Sequence, residues 1–142
     1  MRIKIPIQII ELEDNNYHMV VLSVFNGQST GYWLIDTGAS KTVFDSNRAE
    51  RYHLTGESAD QVHTAGISDN PLKTAIAHLH GFSIGKLKID DLRVALLDLS
   101  HINQLYSGSA GITICGMLGG DFLMHYQARI DYRKKVLELI KP

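Results

Sequence analysis

Trp33-Leu34-Ile35-Asp36-Thr37-Gly38-Ala39-Ser40 is the stretch of this chain that holds the most chemical information. Trp33 to Ile35 is an apolar, strand-forming run, and it delivers an acidic side chain directly into a turn. Gly38 gives that turn its backbone freedom, and Thr37 sets a hydroxyl beside the carboxylate. An ordinary strand end with Asp36 in an Asx turn uses the same three residue types. The sequence on either side separates the two readings.

Upstream, Ile3, Ile5, Ile7 and Ile9 alternate, which predicts one strand with a single apolar face. Glu13 to Asn16 supplies turn chemistry and His18 to Phe25 a second β-rich run. Asn26-Gly27 is a strong hairpin signal before Ser29 to Ile35. Three strands thus lead to Asp36. Downstream, Thr42 to Phe44 is short and apolar, and Asp45 or Ser46 offers an N-cap for a helix of about two turns ending near Tyr52. From Ala59 the composition is strand-like again, broken by the turn formers of Gly66 to Pro71, which predicts a long hairpin with Leu72 to Ile84 as its return limb. Gly85-Lys86 turns that limb into Leu87 to Ile89 and Leu92 to Leu97.

Ser100 to Tyr106 reads as a short helix capped by Ser100, followed by a small-residue loop at Ser107 to Gly111. Ile112 to Cys115 is a strand, Gly119-Gly120 a bend and Asp121 the cap of a helix to about His125. Ala128 to Tyr132 and Val136 to Ile140 form a last hairpin around Arg133 to Lys135. The expected class is mainly β with one or two short helices.

Asp36-Thr37-Gly38-Ala39, preceded by two apolar residues and followed by Ser40, Thr42 and Val43, resembles the active-site loop of retropepsin-like aspartic proteases, the retroviral-protease-like branch. Ile114-Cys115-Gly116-Met117-Leu118-Gly119-Gly120-Asp121-Phe122-Leu123 resembles that family's second signature, an apolar strand and glycine before a short helix that braces the loop. With Ala128 to Tyr132 and the closing strand, the order matches nearly the whole chain, so residues 1–142 read as a single domain. The resemblance implies a closed, barrel-like β domain with a flap hairpin. It also implies an aspartic endopeptidase that needs neither metal nor cofactor, with Asp36 as its catalytic carboxylate.

In that family two carboxylates share one proton, one acting as base toward water and the other as acid. The rest of this sequence holds no second Asp-Thr-Gly or Asp-Ser-Gly. A homodimer is therefore expected to supply the second Asp36, acting on a peptide or protein substrate. By resemblance, Thr37 would bond across the dimer, Gly38 and Ala39 would complete the loop, and Ser40, Lys41, Gly66 and Ile67 would meet substrate. Gly66 lies at the tip or hinge of the flap, Thr64 to Pro71. Lys41 stands where relatives often place an acidic pocket residue, which points to tolerance for acidic substrate side chains. Ala39 cannot donate a hydrogen bond to the carboxylate as serine or threonine would, so a mildly acidic optimum is expected.

The chain departs from the family where many retroviral members pair an arginine with an acid. Gly120 and Ser40 stand at those positions, so the loop needs another brace, and Asp121 capping its helix is the expected one. The missing pair and a polar flap keep open an alternative, a weakly active or inactive peptide-binding or scaffold dimer. Hydrolysis of a non-peptide substrate in the same cleft is a third class.

Composition supports a folded chain: 44% of residues are hydrophobic and 20% charged. A formal charge of -1 argues against a nucleic-acid partner. Cys115 is the sole cysteine, which excludes an intrachain disulfide and points to buried packing. The N-terminal segment has no secretory h-region, and no apolar run is long enough for a membrane span, so a cytoplasmic location is the default expectation. His78 and His80 would share a strand face and invite a metal reading, but no third ligand is apparent in the sequence, and surface or packing roles are expected.

Overall fold

The computed structural model describes residues 1–26, 29–55 and 75–142. Its described strands form two sheets, a small one made from the chain ends and a large curled one shaped as a half-barrel. In the small sheet, β1 (Arg2–Pro6) and β12 (Arg129–Asp131) both pair antiparallel with β13 (Val136–Ile140). Ile3 lies opposite Leu139 and Ile5 opposite Leu137, all four buried. Pro6 has no N–H to extend this ladder. The chain leaves it after Ile7, whose amide donates to Lys135 O at 2.8 Å, and β2 (Gln8–Glu13) joins the large sheet instead. The one predicted N-terminal strand is thus two. Its isoleucines still share a face, since Ile3, Ile5, Ile7 and Ile9 all pack on one core cluster.

β2 pairs with β3 (Asn16–Phe25), which turns back antiparallel into β4 (Thr30–Ile35). Gly27 falls outside the described residues, but Phe25 N donates to Ser29 O at 2.7 Å and Val24 faces Thr30, as a hairpin requires. β5 (Val43–Asp45) follows the Asp36 turn. The predicted helix from Asp45 or Ser46 to Tyr52 does not form. Asp45 is a buried strand residue whose Oδ1 accepts from Asn47 N at 3.1 Å and from the distant Leu99 N at 3.2 Å, so its carboxylate serves a turn and a tertiary tie. A 3₁₀ turn, Ala49–Arg51, leads directly into β6 (Tyr52–Leu54).

β7 (Ala75–Leu79) and β8 (Phe82–Ile84) divide the predicted return limb. β7 pairs with β6 and with β10 (Leu92–Leu97), whereas β8 pairs with β3 and with β9 (Leu87–Ile89). The limb parts at His80-Gly81 because its two halves belong to opposite ends of the curled sheet. The flap stretch Thr64 to Pro71 lies outside the described residues. α1 spans Ser100–Ala110, a turn longer than expected, and ends where Gly111 adopts a left-handed φ of 68°. Its Asn103 side chain takes the place of a strand neighbour, accepting from Ile114 N at 2.6 Å and donating to Ile114 O at 2.9 Å.

β11 (Ile114–Leu118) is buried at every position because both faces of the sheet are covered there. Ile114 and Met117 belong to a cluster with Val20, Val43 and Tyr106, and Cys115 and Leu118 to the opposite cluster with Trp33, Phe44 and Phe82. Trp33 stacks on Phe82 with ring centres 5.7 Å apart and tilts against Phe44 at the same distance. A Cβ on Gly116 would stand 2.5 Å from the Trp33 ring, so glycine there lets the indole lie flat under the sheet. This aromatic layer is the floor beneath the Asp36 turn. Among the described residues no helix is long and apolar enough to cross a membrane.

Candidate active site

β4 and β11 run parallel, with Leu34 beside Met117 and Ile35 beside Leu118. The ladder ends where Asp36 N donates to Leu118 O at 3.0 Å, which fixes the acid at the C-terminal edge of two buried parallel strands. The chain then turns sharply: Ala39 N donates to Asp36 O at 3.2 Å and Gly38 N to Asp36 Oδ1 at 3.1 Å. Among the described residues the Gly38 amide is the donor that this carboxylate holds, and it uses one of the two oxygens. A Cβ at Gly38 would stand 3.4 Å from Asp36 Oδ1, so glycine keeps the backbone close to the acid. Asp36 is half-buried, Thr37 and Gly38 are exposed, and Ala39 is buried.

The loop is braced from behind by the start of α2 (Gly120–His125). Gly120 N donates to Ala39 O at 2.8 Å and Asp121 N to Ser40 O at 3.2 Å, so helix-start amides with no partner inside α2 hold the loop's carbonyls. Gly119 makes the approach possible, since a Cβ there would meet the Lys41 carbonyl group at 2.6 Å. Thr42, 1% exposed, completes the joint. Its Oγ1 donates to Asp121 Oδ1 at 2.7 Å and accepts from Gly119 N at 3.1 Å.

Asp121 is therefore not the helix cap predicted from sequence. Gly119 occupies the cap position in extended conformation, and Asp121 sits in the first turn, where its Oδ1 also accepts from Phe122 N at 2.8 Å. The brace exists, but it runs through Thr42.

Asp36, Thr37, Gly38, Ala39, Ser40 and Lys41 thus form one continuous loop, with Ser40 exposed and Lys41 half-buried. Gly66 and Ile67 lie outside the described residues. An apolar groove of about 370 Å³ between Ile5, Ile7, Leu22, Val24 and Tyr32 opens elsewhere, and the Asp36 loop is not part of its wall.

A sequence model of the family described as Aspartyl protease matches residues 20–122, from β3 to α2. The chain belongs to the aspartyl protease family. Two solved structures share the retropepsin-like fold. A retropepsin-like aspartic protease from Rickettsia conorii is 20% identical, with 98% of this chain and 90% of that one covered and a TM-score of 0.53. The retroviral protease-like domain of Ddi1 from Leishmania major is 16% identical, with 86% and 87% covered and the same TM-score of 0.53. No curated protein matches the chain.

Two contributors to the loop's geometry had no role in the sequence reading. Leu118 supplies the carbonyl that receives the Asp36 amide, and Thr42 joins loop to helix. A lone threonine leading the apolar run Val43-Phe44 is the one local signal that pointed to Thr42.

Proposed function

We propose that this member of the aspartyl protease family is an endopeptidase that works as a homodimer, with one Asp36 from each copy. The observation that carries this is the state of the two acids at matching places in the repeated strand-to-turn pattern. Asp36 follows β4 and stands half-exposed at the turn, whereas Asp121 follows β11 and is bound to Thr42 Oγ1 and the Phe122 amide. One chain therefore offers one carboxylate for chemistry, and a second copy offers the other.

Two carboxylates brought within hydrogen-bond reach cannot both ionise, so the pair would hold a single proton. The ionised member draws a proton from a water as it attacks the peptide carbonyl. The protonated member donates to the carbonyl oxygen, and the amine then leaves with a proton returned by the dyad. The Gly38 amide, already on Asp36 Oδ1, sets the rotation of each carboxylate before substrate arrives. Thr37, exposed beside it, is placed to reach the opposite loop, and Ser40 and Lys41 to meet substrate side chains.

Incubation with a peptide library across pH 3 to 8 tests the proposal. Cleavage should appear in the mildly acidic range, vanish in Asp36→Asn and scale with the dimer fraction seen by sedimentation. Peptide binding without cleavage by the intact chain would transfer the assignment to a binding scaffold, and full activity in a strict monomer would remove the shared dyad.

A further inference from the structure

β6 and β7 pair so that His53 lies opposite His78, and His80 follows two residues along the same face. The sequence shows His78 and His80 as a pair without a third partner, and the strand pairing brings His53 to them. Their rings form a stack: His53 lies 5.8 Å from His78 and 5.2 Å from His80, centre to centre, with interplanar angles of 17° and 25°. At the far side of the row, Asp91 Oδ2 lies 2.7 Å from His78 Nδ1. A neutral imidazole that donates from Nδ1 to a carboxylate keeps its Nε2 lone pair free to bind a metal, and such carboxylate–histidine pairs back many metal ligands.

We propose that His53, His78 and His80 form a binding site for a divalent transition-metal ion of the zinc type, with Asp91 fixing the tautomer of His78. As stacked, the rings lie nearly parallel, and among the described residues no three ligating groups already enclose a common point. The ring spacing is nevertheless that of a bound set. With Zn–N bonds of about 2.0–2.1 Å and tetrahedral angles, two imidazole centres on one ion sit about 5 Å apart. The rings need to be re-aimed, not carried to a new place. His53 and His80 are exposed, so turning them about their side-chain bonds displaces solvent and not core.

Arg93 stands opposite His78 on β10 and brings positive charge to the same face. Asp91 opposes it, and Arg51 is turned away, its Nη1 donating to Asn26 O at 2.8 Å. Three imidazoles beside an arginine set the expected affinity in the micromolar range rather than the nanomolar. Ligation requires neutral imidazoles, so binding releases protons and fades as pH falls through the histidine range, about 6.5.

Isothermal titration of the full chain with zinc chloride at pH 7.5 should show one ion per chain, with a Kd on the order of 1–10 µM. His53→Gln, His78→Gln and His80→Gln should each weaken it at least tenfold, and Asp91→Asn about tenfold. His101→Gln, on the exposed side of α1, should leave it unchanged. No binding up to about 1 mM, or a triple histidine variant that keeps the parent's affinity, overturns the proposal. If the variants misfold by circular dichroism, substoichiometric Cu²⁺ added to the parent chain decides the matter in NMR spectra. Broadening confined to the rings of His53, His78 and His80 supports the site, and broadening centred elsewhere overturns it.

Discussion

Replacing Thr42 with valine removes one hydroxyl from a nearly isosteric side chain, yet that hydroxyl is the joint between the Asp36 loop and α2. Two effects follow. The Gly119 N–H, buried behind the loop, is left without its acceptor, which costs about 1–3 kcal/mol. The hydroxyl-to-carboxylate bond is also lost; a bond of this type contributes about 1.5–3 kcal/mol, but Asp121 is exposed enough for water to replace part of it, so the lower end applies. The sum is a destabilisation of about 2–4 kcal/mol. With a urea m-value of about 2 kcal/mol/M, the unfolding midpoint should fall by about 1–2 M. Protein concentration must be held fixed, because association would add to the apparent stability. Thr42→Ser, which keeps the hydroxyl and drops a methyl, should lose only about 1 kcal/mol. A Thr42→Val midpoint within about 0.5 kcal/mol of the parent, or a serine variant as damaged as the valine, would refute the assignment of Thr42 as the brace.

Two further outcomes rest on titratable groups. Hydrogen bonds from the Ser100 side chain and backbone and from Asn47 pull the Asp98 carboxyl from 3.8 down to about 2. A depressed folded-state value stabilises the fold above the unfolded value and is lost as pH falls through the folded one. The stability gap between the parent and Asp98→Asn should therefore hold steady near neutrality and close between about pH 4 and pH 2; a gap independent of pH in urea titrations would contradict this. Burial pushes the Cys115 thiol up to about 12, so it stays protonated and enclosed. Its alkylation by iodoacetamide at pH 8 should be at least about a hundredfold slower in the native chain than in urea, and equal rates would place the thiol at the surface.

The β character of the chain was legible because it is written locally. Alternating isoleucines, the run before Asp36 and the continuous apolar stretch of β11 each state their burial in a few residues. The acid-bearing loop was legible for the same reason, being contiguous from Asp36 to Lys41. What sequence did not show depends on partners far along the chain. Asp45 reads as a helix cap until Leu99 donates to it from β10's far end. Asp121 reads as a cap until Thr42 claims its carboxylate, and His78 and His80 lack a third imidazole until β6 lies beside β7. The break after Pro6 was the exception. A proline that ends a ladder is a local signal, and the unbroken isoleucine period concealed it.

The bond from the Asp36 amide to the Leu118 carbonyl has a consequence in time as well as in space. During synthesis the acid leaves the ribosome long before the strand and helix that hold it. Until β11 and α2 have emerged and docked, residues 36–42 lack most of the partners that give the turn its shape. A nascent or truncated chain therefore carries the carboxylate without its setting, and the order of translation itself withholds the site until nearly the whole fold is present.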